Sequence, residues 1–117
     1  MGTDDASAGL VDLARLRQRF DDDEELLAEI FRVFVAETPG RRADFETALA
    51  AGDMGRLTHQ AHSLKGVAGT MFAEPLRRAA YDLEMAAKAG DAASVAPNTR
   101  ILLGLLEATC GHVAGLL

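Results

Sequence analysis

Met54, Leu57, Ala61, Leu64, Ala68 and Met71 recur at alternating steps of three and four residues. Only a helix gathers such a series onto one side, and a side this apolar has to pack against other helices. The spacing predicts a helix over about residues 54 to 71, with Asp53 as its N-cap. At about 100° per residue, His62 lies roughly 120° from the middle of that seam. Lys65, Gly66 and Gly69 fall within about 60° of His62. One helix thus carries a core-facing side and, beside it, a histidine with a lysine and two glycines.

The glycines are the informative part. On an exposed helix face each costs about 1 kcal/mol relative to alanine. Their position off the seam points to access, not to close helix packing. With no side chains at Gly66 and Gly69, the imidazole of His62 stands above bare backbone, and another protein's active site can close over it. Lys65 then supplies positive charge beside any anion carried there. Neutral imidazole is a competent nucleophile near pH 7, since its reference pKa is about 6.5.

The rest of the chain supplies the helices to pack against. The 117 residues suit one domain and are 49% hydrophobic, rich in alanine and leucine, with no tryptophan and three prolines. Scarce β-branched runs argue against a sheet. Residues 1–9 are small and polar and are read as a flexible tail, with the domain over 10–117. Asp12 caps a short helix from Leu13 to Arg19, with Leu13, Leu16 and Phe20 on its apolar side, lying across one end of the bundle. Asp22 or Asp23 caps the next helix, with Glu24 and Glu25 in the first turn. Its apolar face reads Leu26, Leu27, Ile30, Val33 and Phe34, then Phe45, Ala48 and Leu49 beyond Thr38-Pro39-Gly40. One long bent helix over 23–51, stopped by Gly52, is the expectation. Pro75 opens a helix over 75–89, with Leu76, Ala80, Leu83 and Ala87 inward and Gly90 as its stop. A last helix starts near Ala92 or after Pro97, with Ile101, Leu102, Leu105 and Val113 apolar. Four long helices with short turns predict an all-α, up-and-down antiparallel four-helix bundle with a short extra N-terminal helix.

His62-Ser63-Leu64-Lys65-Gly66, followed by Gly69-Thr70, resembles the signature of histidine phosphotransfer (HPt) domains of bacterial phosphorelays and of the N-terminus of chemotaxis kinases. Phe20 with the acidic run Asp21 to Glu25, the turn Ala50 to Asp53, Leu83-Glu84 and the turn Ala89 to Asp91 resemble the family too, over about residues 10 to 115. One departure is Phe72, where the family usually has glycine; it is expected to alter the helix exit or a partner contact.

The resemblance implies a phosphoryl carrier of two-component signalling. His62 would accept and donate a phosphoryl group, on its distal ring nitrogen, from and to the aspartates of response-regulator receiver domains. Lys65 would offset phosphate charge, and Glu84 would orient the imidazole. Gly66 and Gly69 would give access, and Ser63, Thr70 and Phe72 would meet the partner, with an apolar patch that includes Phe72 or Met71. Tyr81 either borders the same site or packs between helices, and packing is the preferred reading. No cofactor is expected, since the magnesium belongs to the receiver. The partner is a receiver or a hybrid histidine kinase. A cytoplasmic monomer is expected, without nucleic acid or membrane as partners, given the net charge of −6, the single Cys110 and no apolar run of spanning length.

Two rivals stay open. A helical adaptor would dock receivers or kinases without being phosphorylated; the intact histidine, lysine and glycine stripe argues against it. A metal-holding bundle would need more than His59 and His62, and no further histidine or cysteine stands at useful spacing. No phosphate-binding glycine loop is present, so the chain is not read as an enzyme by itself.

Overall fold

The computed structural model describes residues 9–117, and the expected tail lies outside them save for Gly9. Among the described residues five helices follow in order: α1 (Leu13–Arg19), α2 (Glu24–Ala51), α3 (Met54–Thr70), α4 (Glu74–Lys88) and α5 (Ala92–Ala114). Among the described residues there is no strand. An aspartate starts four of the helices: the carboxylates of Asp12, Asp23, Asp53 and Asp91 accept from the backbone N–H three residues on. No side chain caps α4, but Pro75 stands in its first turn, where a missing N–H is harmless.

Helix ends follow one pattern. At Gly52 and Gly90 the chain turns left-handed, with φ of 64° and 67°. The following N–H reaches back five residues, from Asp53 to Ala48 and from Asp91 to Ala86. The exit of α3 has the same bonds, Ala73 N to Ala68 O and Phe72 N to Gly69 O, but with Phe72 in the left-handed position at φ 52°. That is why glycine suits this site. Phe72 is kept there by its neighbours: its carbonyl accepts from Asp12 N at 3.0 Å, and the Arg15 guanidinium lies 5.6 Å from its ring centre. So α1 is fastened to the exit of α3. Phe72→Ala is expected to lower stability by about 1–2 kcal/mol, since it loses half-buried ring packing and keeps the backbone strain. Phe72→Gly is expected to recover about 1 kcal/mol of that loss; urea unfolding of both variants checks the order.

Helix α2 is continuous through Pro39. Proline withdraws one N–H from the helix ladder. Just before it, Thr38 is buried and its hydroxyl donates to Phe34 O at 2.8 Å. The core face of α2 differs from the expected one. Leu27, Phe31, Phe34, Thr38, Phe45 and Ala48 are buried, whereas Leu26 and Val33 are 40% and 46% exposed. Leu26, Ile30 and Val33 form a separate stripe one residue back, about 100° around the helix. Helix α5 begins at Ala92 and includes Pro97. Its buried stripe is Val95, Thr99, Leu102, Leu106, Thr109 and Val113; Ile101, one of its expected apolar positions, is 57% exposed because it too lies one residue off the stripe.

Packing closes a ring: α2 meets α3, α3 meets α4, α4 meets α5 and α5 returns to α2. Leu57, Ala61, Leu64 and Ala68 of α3 are fully buried in the middle of it. Ala61 and Ala68 of α3 and Ala79 and Ala80 of α4 are small residues of the same core, which lets the two helices approach closely. That closeness brings a side chain of α4 to the histidine of α3.

Candidate functional site

Three pairings align α3 with α4: Gly69 with Arg77, Lys65 with Tyr81, and His62 with Glu84. One number rises as the other falls, so these two helices run in opposite directions. His62 projects from the outer face, its side chain 67% exposed. Glu84 comes from underneath, its side chain 3% exposed. His62 Nδ1 and Glu84 Oε2 are 2.9 Å apart. Lys65 Nζ sits 2.7 Å from Oε1, and Lys88 Nζ 3.5 Å from Oε2. Lys65 is the one partner of Oε1 among the described residues.

The ammonium of Lys65 and then the ring of His62 hold the Glu84 carboxyl down to about 2, against the opposing effect of burial. Glu84 is therefore ionised at neutral pH and can only accept hydrogen bonds. The hydrogen between it and His62 must sit on Nδ1. In a neutral imidazole that leaves Nε2 with a free lone pair, on the far side of the ring from the carboxylate. The arrangement thus presents an outward nucleophilic nitrogen on a ring whose opposite N–H is gripped by a buried anion.

The Hpt domain family model matches residues 29–112, most of the chain and all of this site. The chain belongs to the Hpt domain family. Among solved structures it is similar to the crystal structure of histidine-containing phosphotransfer protein B (HptB) from Pseudomonas aeruginosa PAO1. That likeness has a TM-score of 0.83 at 23% identity, over 92% of this chain and 93% of the other, and it concerns the fold. No curated protein compared with the sequence matches it.

Around His62 this Hpt domain is bare on one side. A Cβ added at Gly66 would meet nothing within 4 Å, and one at Gly69 only Arg77 Cδ at 3.8 Å. Neither glycine is demanded by the chain's own packing. Gly69 is the less open of the two. Ser63 is exposed and borders a hollow of about 210 Å³ between α2 and α3, shared with Arg41, Asp44, His59 and Gln60. Thr70 is exposed, donates to Gly66 O at 3.1 Å and lines an apolar groove of about 300 Å³ with Ile30, Val33 and Val67.

Some expectations for this Hpt domain are displaced. Met71 is 1% exposed and belongs to the core. It also lines the apolar groove, whose other apolar walls are Ile30, Val33 and Phe34 of α2 and Val67 of α3. Tyr81 borders the site: it is exposed, with Lys65 Nζ 5.6 Å from its ring centre. Phe72 shapes the helix exit and carries α1, about 15 Å along α3 from His62. Lys88 was not singled out from the sequence, although its spacing of four from Glu84 is the signal that could have found it. Among the described residues, no three histidine, cysteine, aspartate or glutamate side chains gather as metal ligands do, and no helix is long and apolar enough to cross a membrane.

Proposed function

We propose that this Hpt domain carries phosphoryl groups between receiver domains, on Nε2 of His62, as an up-and-down four-helix bundle in the cytoplasm. The observation that carries this reading is the exposed imidazole whose inner N–H is held by an ionised, buried glutamate. In the transfer, the Nε2 lone pair attacks the phosphorus of a receiver's aspartyl phosphate. The N–P bond forms as the P–O bond breaks, and the aspartate leaves as a carboxylate with the bonding pair. No proton has to leave His62, because Nε2 carried none. Nδ1 keeps its hydrogen, so the ring becomes positively charged directly beside the Glu84 carboxylate, which stabilises it. The reverse transfer neutralises the ring and restores the starting state. The receiver supplies the magnesium and its acidic pocket; this chain supplies the nucleophile and the docking face. That face is the outer stripe of α3 over Gly66, continued by the groove of Ile30, Val33, Val67 and Thr70.

The test is incubation of the purified chain with receivers of the same organism carrying labelled aspartyl phosphate. Transfer of an acid-labile, base-stable label, mapped to His62 by mass spectrometry, is the expected result. Tight binding to a receiver with no label on the chain would establish the adaptor reading in its place.

A further inference from the structure

Two lysines approach the single carboxylate of Glu84, and only one of them is explained so far. Lys65 lies on the C-terminal side of His62 along α3. Lys88 comes from the last turn of α4, which the opposed directions of the two helices place on the other side of His62. A lysine in the last turn of a helix is favoured by the helix dipole alone. An exposed pair at a spacing of four is ordinarily worth little. The second account does not fit here, because Glu84 is 3% exposed while the lysine that reaches it is 57% exposed. Lys88 extends from solvent toward a buried anion that already has a closer cation.

The chemistry of the carrier gives the second lysine a task. In the resting state Lys65 is bound to Glu84 Oε1 at 2.7 Å. After transfer, a dianionic phosphoryl group stands on Nε2, and Lys65 is one turn from His62 on the same side of α3. Swinging Lys65 to the phosphoryl oxygens would leave Oε1 without any partner. The ring's new charge stays beside Oε2, but the buried Oε1 would be left without a donor, which is costly. At 3.5 Å from Oε2, Lys88 has room to close in. We infer that Lys88 is a positioning residue: it moves into the place of Lys65 at the Glu84 carboxylate when His62 is phosphorylated, which frees Lys65 for the phosphoryl group. The inference rests on the carrier reading and adds a residue to it.

The experiment follows label transfer from a phosphorylated receiver to the wild-type chain, Lys88→Met and Lys88→Arg, with thermal unfolding of each. It is paired with lysine acylation read by mass spectrometry on the unphosphorylated and phosphorylated wild type. Lys88→Met is expected to transfer about ten times more slowly with an unchanged unfolding midpoint. Lys88→Arg is expected to restore most of the rate. Lys88 should react readily before phosphorylation and become protected after it, while Lys65 keeps a partner in both states. Wild-type transfer with an equally fast Lys88→Met, or with Lys88 equally reactive in both states, overturns the role of Lys88 and leaves the carrier reading standing. A wild type that takes no label from any receiver overturns both.

Discussion

His62→Gln is expected to fold like the wild type and to take no label from a phosphorylated receiver. The ring projects into solvent, so its loss costs the core nothing, and a glutamine amide can still donate to Glu84. The expected change in stability is within about 0.5 kcal/mol. What disappears is the Nε2 lone pair, and no neighbouring side chain replaces it. Gly66→Gln is expected to lose transfer by a different route. Nothing within 4 Å opposes a Cβ at that position, and glutamine is the better helix former by about 0.5–1 kcal/mol. The variant should therefore unfold a few degrees higher than the wild type, by about 2–6 °C. The added side chain stands where the receiver has to close over the imidazole, and a displacement of about 1 Å at the reacting atoms costs on the order of 100-fold. Titration with a receiver separates the two variants, since His62→Gln should still bind and Gly66→Gln should not. A Gly66→Gln chain that accepts phosphoryl at the wild-type rate would remove the argument from access.

Helix-level structure was legible because most of it is local. Aspartate caps, left-handed stops at Gly52 and Gly90, and the seam of α3 each depend on a few adjacent residues. What could not be read was which of two neighbouring stripes turns inward. On α2, Leu26-Ile30-Val33 and Leu27-Phe31-Phe34 are equally apolar and one residue apart, and only the neighbouring helices select between them. Ile101 beside Leu102 poses the same ambiguity on α5. The stripe left outside is not idle, since Ile30 and Val33 line an apolar groove with Val67 and Thr70 of the histidine helix. At the site, His62, Lys65 and the two glycines share one helix, so their juxtaposition follows from spacing alone. Glu84 was reachable through the resemblance, but its burial and its three partners are products of how α3 and α4 align. The same alignment brings Tyr81 to Lys65 and Lys88 to Glu84. Met71 shows another limit of periodicity: at the end of a helix it does not say whether the next element covers a side chain, and here Met71 is buried while still lining the groove.

Glu84 should be visible both in catalysis and in acid stability. Its carboxyl is held at about 2, below its ordinary value of 4.5, chiefly by Lys65 and then by His62. A folded-state value below the unfolded one means that the ionised carboxylate stabilises the fold. That contribution is complete above about pH 4.5 and drains away as pH falls toward 2. Its size is on the order of 1–2 kcal/mol, discounted because its partners reach it from solvent. Glu84→Gln, which keeps the shape and removes the charge, should therefore unfold with a shallower dependence on pH between 4.5 and 2 than the wild type. An equal slope in the two proteins would mean that the ion pairs do not form in solution. The catalytic consequence is larger. Without the carboxylate, nothing fixes the hydrogen on Nδ1 or balances the charge the ring acquires on transfer. Glu84→Ala is expected to lower the rate of phosphoryl acceptance by on the order of 100-fold while leaving His62 as the labelled residue. Nitrogen chemical shifts of the imidazole give an independent reading: Nδ1 should carry the hydrogen in the wild type, and the two tautomers should mix in Glu84→Ala. A single tautomer retained in that variant, with transfer at the wild-type rate, would show that the ring orients itself and that Glu84 serves only to hold α3 against α4.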